Sequence, residues 1–185
     1  MRDDEAALVQ RLRDGDEDAC REFVEAHQDR IITVVARVAG AGADAEDLAQ
    51  EAFVKAFGAI ARFDGRSALF TWLYRIAVNT ARDDIARRRR RPVVPLEGAD
   101  GSRVDPPDPS ESPKEALLRH ERAVLVRDAL ERLPEPFRTT LILREMEGHS
   151  YEAVASILGV SIGTVESRIF RARCKLRGLL GKEPP

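Results

Sequence analysis

Apolar residues recur along most of the chain at intervals of three and four residues, which is the spacing of one face of an α-helix. In the first half of the chain, three such stripes lie within residues 31–38, 48–60 and 69–81. A Gly-Ala-Gly break follows the first stripe, and Asp44 is suited to cap the helix that comes next. No segment alternates between apolar and polar residues over the length of a convincing strand. The pattern therefore predicts an all-α protein.

The second half of the chain also has helical periodicity. We expect helices over residues 114–133 and 137–146, because two prolines interrupt the chain between them. Two further helices are predicted over residues 151–158 and 162–180, each preceded by a serine at the cap position. Gly159 lies in the short turn between them, where a left-handed backbone is often required. This order of helices, caps and turn is typical of a helix-turn-helix.

Residues 92–113 interrupt the helical pattern. Six of the ten prolines fall in this segment, together with five acidic groups and one basic group. Such a segment cannot propagate a helix and has little apolar surface to bury, so we expect a flexible linker. It divides the chain into two small helical domains, residues 1–91 and 114–185, and the second domain carries the helix-turn-helix.

The net charge of the 185-residue chain is only −2, but its charges are segregated. Residues 1–60 carry a net charge of −7, residues 61–91 one of +6, and residues 114–185 one of +3. Basic zones beside acidic ones are typical of a protein that binds a polyanion. The N-terminus is too acidic and polar for a signal or transit peptide, and no stretch approaches the length of a membrane span. We therefore expect a cytoplasmic protein without membrane insertion.

The last predicted helix combines an apolar stripe with a polar and basic face. Short polar groups near the start of a helix, followed by arginines, suit a helix that enters the major groove. A solvated face that only confers solubility is the alternative. The turn, the caps and the charge bias together favour DNA binding. The residues away from the apolar stripe are Thr164, Ser167, Arg168, Arg171 and Lys175.

The third stripe, over residues 69–81, mixes aromatic and cationic side chains. This mixture suits melted or single-stranded nucleic acid, because arginines bind phosphates and aromatic rings hold unstacked bases. The alternative for Phe70 and Trp72 is a place in the core. The arginine run at 87–91 would equally suit a disordered basic tail. The residues of this zone are Arg62, Phe63, Arg66, Phe70, Trp72, Tyr74, Arg75 and Arg82.

Acids and amides cluster at the start of the second stripe, over residues 44–51. Carboxylates in a first turn complement the helix dipole, which is a purely structural explanation. The same cluster, next to Phe53, would also suit the docking of a basic partner helix. Composition leaves both explanations open.

Three segments of the chain resemble the extracytoplasmic-function (ECF) sigma factors of the bacterial sigma-70 family. They are residues 45–63, 67–90 and 133–177, and they occur in the order that the family has. The resemblance covers almost the whole chain outside the linker and the first few residues. It implies a two-domain initiation subunit, with region 2 in the first half and region 4 in the second. Core RNA polymerase, promoter DNA and an anti-sigma factor would be its partners.

The resemblance also implies which residues bind the polymerase and the −10 element. The start of the second helix would dock on the clamp coiled coil of the largest polymerase subunit. Residues 63–69 would hold a flipped base of the non-template strand. The polymerase-binding residues would be Glu46, Asp47, Gln50, Glu51 and Phe53. The −10 residues would be Arg62, Phe63, Asp64, Arg66, Ser67, Arg75, Asn79, Arg82 and Asp83.

The −35 element would be read by the last helix. The family often has a basic residue where Glu166 stands, so this carboxylate either accepts a hydrogen bond from a cytosine or faces solvent. The −35 residues would be Ser161, Thr164, Glu166, Ser167, Arg168, Arg171 and Lys175.

Two other classes of protein are weighed against this reading. A stand-alone helix-turn-helix repressor or activator would share the C-terminal motif, but it would not need the acidic and arginine-rich helices of the first half. A nuclease would need clustered carboxylates, and the adjacent pair Asp83 and Asp84 points about 100° apart on a helix. The three histidines and two cysteines are scattered, and no glycine-rich phosphate loop occurs. We expect no catalytic residue, no metal and no cofactor.

Overall fold

The computed structural model describes residues 3–90 and 113–181, which are helical and form no strand. The all-α prediction is confirmed. A 3-10 turn, Ile60–Arg62, extends α3, and a π-helical turn, Ile142–Met146, extends α6. The predicted linker lies outside the described residues except for Pro113. The helices are α1 (Asp3–Arg13), α2 (Glu17–Ala39), α3 (Ala45–Ala59), α4 (Leu69–Arg90), α5 (Pro113–Glu131), α6 (Glu135–Leu141), α7 (Tyr151–Leu158) and α8 (Ile162–Leu180).

Local sequence signals set the ends of α2 and α3. The Asp16 carboxylate accepts hydrogen bonds at 3.0 Å from two amides in the first turn of α2. Asp44 accepts one at 3.0 Å from the amide of Asp47, which is the cap that the sequence predicts. α2 ends where Gly40 adopts a φ of 71°, a conformation that glycine reaches without a steric penalty.

Helices α2, α3 and α4 pack around the core of the first half. Their apolar stripes meet there, and α1 closes the core with Val9 and Leu12. Burying a large apolar side chain contributes about 2 kcal/mol, so this cluster holds the three helices together. Its most buried large side chains are Phe23, Ile31, Val34, Val35, Val38, Leu73, Tyr74 and Val78.

The second half differs from the prediction at its prolines. A helix start is predicted at residue 137, whereas α6 begins at Glu135 and contains Pro136 in its first turn. A proline is tolerated there because the first amides of a helix have no intrahelical acceptor. The preceding helix, α5, ends at Glu131, two residues before the predicted end.

The helix-turn-helix has the predicted form. Ser150 caps α7 and Ser161 caps α8, each by accepting a hydrogen bond at 3.2 Å from an amide three residues on. Gly159 lies between the helices in the left-handed region, with φ 64° and ψ 37°. No single helix among the described residues is long and apolar enough to span a membrane. Within the described ranges, α7 and α8 taken together reach that length and composition, but the pair is bent by 101°.

The two halves pack directly against each other. Apolar side chains of the second half, including Leu143, Val154 and Ile157, belong to the same buried cluster as the core of the first half. Buried Arg138 adds a polar contact, because its Nη2 donates to the Val38 carbonyl at 3.2 Å. The linker therefore joins two helical units that share an interface.

Candidate polymerase and nucleic-acid interfaces

The start of α3 presents an acidic strip to solvent. Glu46, Asp47 and Gln50 are exposed on one side of the helix. Glu51 lies at the edge of this strip, where it pairs with Lys55 Nζ at 2.8 Å. The strip has the charge and the exposure that a basic partner helix would require.

The acidic strip continues into an apolar residue, Val54, that is not among the predicted docking residues. Val54 is 65% exposed and lies one turn beyond Gln50 on the same side of α3. Its position outside the apolar stripe of α3 is the feature of the sequence that indicates this exposure. A docking partner would therefore contact the carboxylates of the strip and also an apolar side chain.

Phe53 does not reach the acidic strip. It is only 6% exposed, and its ring packs edge-on against Phe23 with 6.2 Å between centroids. The predicted docking residue is thus a core residue that holds α3 against α2. The reason is geometric, because residue 53 follows Ala49 by one turn on the buried side of the helix.

The loop of residues 63–69 turns sharply at Gly65, where φ is 72°. Asp64 accepts a hydrogen bond from the Arg66 amide at 3.1 Å and pairs with Arg66 Nε at 2.6 Å. The amide hydrogen bond, followed by that from the side chain, holds the pKa of Asp64 below its ordinary value. Arg66 is 88% exposed in its side chain, and Arg62 is exposed beside the loop. The loop therefore offers two guanidinium groups to solvent, while Ser67 is half-buried.

The aromatic residues of this zone anchor the loop and do not line a free surface. Phe63, a predicted −10 residue, is 3% exposed, and its ring lies 5.4 Å from that of Trp72. Phe70 is half-buried under the guanidinium of Arg30, at 4.3 Å from the ring centroid. These rings therefore belong to the core, which was the alternative to direct contact with a base. Only a change in the loop would bring Phe63 to a bound strand.

Three of the predicted −10 residues lie on one side of α4. Arg75, Asn79 and Arg82 follow each other at steps of four and three residues. Asn79 is exposed, as is Asp83 beside it. Arg82 Nε instead pairs with Glu135 of α6 at 2.7 Å. The Arg82 guanidinium, which is predicted to bind DNA, is thus paired with a carboxylate of the second half of the chain.

The arginine run does not form a disordered tail over residues 87–90, which belong to α4. Asp84 is 7% exposed and binds Arg87 at 2.7 Å and Arg88 at 2.6 Å. Arg88 also donates to the Ala39 carbonyl at 2.6 Å, at the C-terminal end of α2. Asp84 therefore has a structural role, because it holds the arginine that contacts the end of α2. No cluster of three or more potential metal ligands occurs among the described residues.

The predicted −35 residues form a strip along α8. Thr164, Arg168, Arg171 and Lys175 succeed one another at steps of four, three and four residues, away from the buried stripe. The hydroxyl groups of Ser161 and Thr164 lie 2.8 Å apart, which couples the cap to this strip. Arg171 and Lys175 are exposed. The remaining member, the exposed Ser167, adjoins the strip and donates from Oγ to the Thr164 carbonyl at 3.0 Å.

Glu166 lies on a different side of α8 from the basic strip. Glu166 follows Thr164 by two positions, which corresponds to a rotation of roughly 200° around the helix axis. Glu166 is exposed there, near the side occupied by Arg173. Of its two predicted roles, this position favours a solvent-facing carboxylate.

Comparison with known proteins identifies the family. The profile described as Sigma-70 region 2 matches residues 23–91, and that described as Sigma-70, region 4 matches residues 123–176. The RNA polymerase sigma-H factor of Pseudomonas aeruginosa is 43% identical over 90% of this chain and 88% of its own length. The ECF RNA polymerase sigma-E factor of Escherichia coli K12 is 40% identical with the same coverage of 90% and 88%. The chain belongs to the ECF sigma factors of the sigma-70 family. It is an RNA polymerase sigma factor.

Two solved structures are similar to this sigma factor over most of its length. CnrH, in complex with the cytosolic domain of CnrY, matches with a TM-score of 0.70 and 26% identity over 98% of this chain and 100% of that one. RpoE of Bartonella quintana, in complex with the anti-sigma factor NepR, matches with a TM-score of 0.65 and 25% identity over 89% and 98%. A stand-alone repressor would explain the region 4 match but not the region 2 match. The sigma-factor prediction is therefore confirmed over that alternative.

Proposed function

We propose that this sigma factor directs core RNA polymerase to its promoters through three separate surfaces. One surface on α3 binds the polymerase, one on the 63–69 loop and α4 binds the −10 element, and one on α8 binds the −35 element. The domains would comprise residues 1–91 and 114–185, joined by a linker of residues 92–113. The factor would act in the cytoplasm through binding alone, without catalytic residues, metal or cofactor.

The acidic strip on α3 supports the polymerase surface. Its exposed carboxylates would attract a basic helix of the polymerase, and Val54 would supply an apolar contact at the end of the strip. Buried Phe53 would keep α3 in place without touching the partner. Glu46, Asp47, Gln50 and Glu51 would carry the binding.

The exposed arginines around the 63–69 loop support the −10 surface. Arg62 and Arg66 would bind phosphates, and the loop would hold an unstacked base, so that binding energy stabilises melted DNA. Arg75 and Asn79 would continue this surface along α4. Arg82 could join them only after leaving Glu135, so this ion pair would compete with DNA for the guanidinium. The remaining members of the surface would be Asp64, Ser67 and Asp83, and buried Phe63 would anchor the loop from the core.

The basic strip on α8 supports the −35 surface. Thr164 and Ser167 lie near the start of the helix, where short side chains approach base edges. Arg168, Arg171 and Lys175 follow and would contact guanines or phosphates. Ser161 would fix the start of the helix as its cap. The alignment of this strip along one helix is the observation that most strongly supports promoter recognition.

A regulatory partner follows from the structural relatives. CnrH was solved with the cytosolic domain of CnrY, and RpoE was solved with the anti-sigma factor NepR. We expect this chain also to bind an anti-sigma factor. Its binding would compete with that of core polymerase.

Run-off transcription on a pooled promoter library tests the proposal. Purified bacterial core RNA polymerase should yield specific transcripts only when the chain is added. Arg171→Ala should lower these transcripts about tenfold, a loss typical of one good base contact, while polymerase affinity stays unchanged. The matched control is Arg177→Ala, which removes an exposed arginine of the same helix outside the strip.

The polymerase surface is tested by affinity for core polymerase. The double variant Asp47→Ala/Gln50→Ala should bind more weakly, whereas Glu25→Ala/Gln28→Ala, an exposed pair on α2, should not. Unchanged affinity of the first variant would contradict the docking surface. Specific DNA binding by the chain alone, without transcripts, would instead favour a repressor or activator.

A further inference from the structure

We propose that α1 positions the 63–69 loop and thereby sets how strictly the loop selects its base, with Glu5 and Arg13 as the positioning residues. The inference rests on the proposed function of that loop. It assigns a role to a helix that lies before the region 2 match, which begins at residue 23. The proposal depends on two contacts, one at each end of the loop.

The first contact closes the end of the loop at α4. Leu69 begins this helix, and the residue before it, Ala68, has no side chain that can cap the free amides. The Leu69 amide donates instead to the Glu5 carboxylate, which α1 supplies. A carboxylate at a helix N-terminus also complements the helix dipole. Glu5 thus does from a distant helix what an N-cap residue normally does locally.

The second contact closes the other end of the loop. Arg13 Nη2 donates to the Phe63 carbonyl at 2.6 Å. Phe63 is the residue at which the 3-10 turn ends, so this hydrogen bond marks the point where the chain enters the loop. One helix therefore holds both the entrance and the exit of the loop.

α1 can act as a support because it is itself held in place. Val9 and Leu12 are 3% and 4% exposed in the core. Arg11 Nε pairs with Asp16 at 2.7 Å, which ties the end of α1 to the cap of α2. A base-binding site must be held to about half an ångström, so a loop fixed at both ends to a packed helix is well suited to selectivity.

The test compares two single-stranded oligonucleotides bound to polymerase holding the full chain. Both carry the −10 segment of a promoter recovered in the transcription experiment, and one has an abasic site at the base that the loop holds. The wild-type protein should prefer the complete strand. Glu5→Ala and Arg13→Met should reduce this preference about fivefold, the factor that corresponds to loss of a typical helix cap.

Conservative variants separate positioning from simple loss of folding. Glu5→Gln keeps an acceptor and Arg13→Lys keeps a donor, so both should retain most of the preference. Asp4→Ala on α1 and Arg21→Met on α2 remove exposed charges of the same sign outside the loop contacts and should leave it unchanged. Affinity for core polymerase should be equal in all these variants.

Two results would overturn the role of α1. One is a full preference in Glu5→Ala and Arg13→Met. The other is an equal loss of affinity for both oligonucleotides and for core polymerase, which would indicate a general structural defect. A wild-type protein that did not distinguish the two oligonucleotides would contradict the proposed function of the loop itself.

Discussion

Glu147, just beyond the π-helical turn that follows α6, bonds to Arg37 of α2 across the interface between the two halves. The distance from Arg37 Nη1 to Glu147 Oε1 is 2.5 Å, and the other carboxylate oxygen accepts a hydrogen bond from the Tyr74 hydroxyl at 2.9 Å. The Glu147 side chain is only 7% exposed. Burial, followed by the charge of Glu147, raises the pKa of Tyr74 above its ordinary value, so the hydroxyl keeps its proton. The interface therefore has a polar contact that requires specific geometry.

Removing this carboxylate should loosen the packing of the two halves. Glu147→Ala leaves the buried Tyr74 hydroxyl and the Arg37 guanidinium without their acceptor, so we expect a loss of about 2 kcal/mol in the free energy of unfolding. Urea unfolding measures it. Glu145→Ala is the control, since this 44% exposed residue pairs with Arg173 on the surface and its removal should have a much smaller effect. Equal effects of the two substitutions would argue against a specific contact.

Removing Glu135 should free Arg82 for nucleic acid. Glu135→Ala breaks the pair that occupies this guanidinium, so the free chain should bind single-stranded DNA about threefold more tightly at low salt, in line with the strength of a partly exposed pair. Fluorescence anisotropy with a labelled random oligonucleotide measures this. Glu121→Ala, an exposed acid on α5, removes the same charge and controls for long-range electrostatics. If both variants gained equally, the Arg82 pair would not be the cause.

The helix-turn-helix should require glycine at position 159, in the turn, but not at position 163, in α8. Gly159→Ala places a side chain at a φ of 64° and should destabilise the fold by about 1 kcal/mol, although no neighbouring atom obstructs the new Cβ. Gly163→Ala, inside α8 with equally open space, should be neutral or stabilising because alanine favours a helix. Thermal unfolding compares the two. A penalty of the same size at both positions would mean that backbone conformation is not the reason.

The fold should lose stability under mild acid because of two half-buried histidines, His27 and His149. Burial lowers the pKa of His149, an effect that Glu147 opposes and Arg30 reinforces, and burial also lowers the pKa of His27. Between the folded pKa and the ordinary value of about 6.5, the unfolded chain binds more protons, so stability falls as the pH drops through that range. Urea unfolding at pH 7 and about pH 5 should show a smaller change in His149→Gln than in the wild type. An unchanged difference would exclude His149 as a contributor.

Local signals explain why so much of the fold was predictable. Asp44, Ser150 and Ser161 cap helices at the predicted positions, and Gly159 has the left-handed backbone that the turn suggested. These features depend on hydrogen bonds between residues three or four apart. The start of α6 differs from the prediction because Pro134 precedes the helix and Pro136 lies in its first turn, where a proline is tolerated.

The exposure of some predicted site residues depends only on their own helix, whereas that of others depends on residues distant in sequence. Exposure of Asp47, Gln50 and Arg171 follows from helical periodicity. The burial of Phe53 and Phe63 depends on Phe23 and Trp72, which come from other parts of the chain. A periodic pattern places a residue on a face, but it does not say which neighbouring element covers that face.

The sequence by itself determined the helices, the division into two halves and the family, because each depends on short-range pattern or on motifs that are contiguous in the chain. Only the tertiary structure decided that Glu5 caps α4, that Arg88 and Arg138 close the end of α2, and that Glu135 occupies Arg82. These contacts join side chains far apart in sequence. Their partners are chosen by the packing of whole helices, which no local pattern encodes.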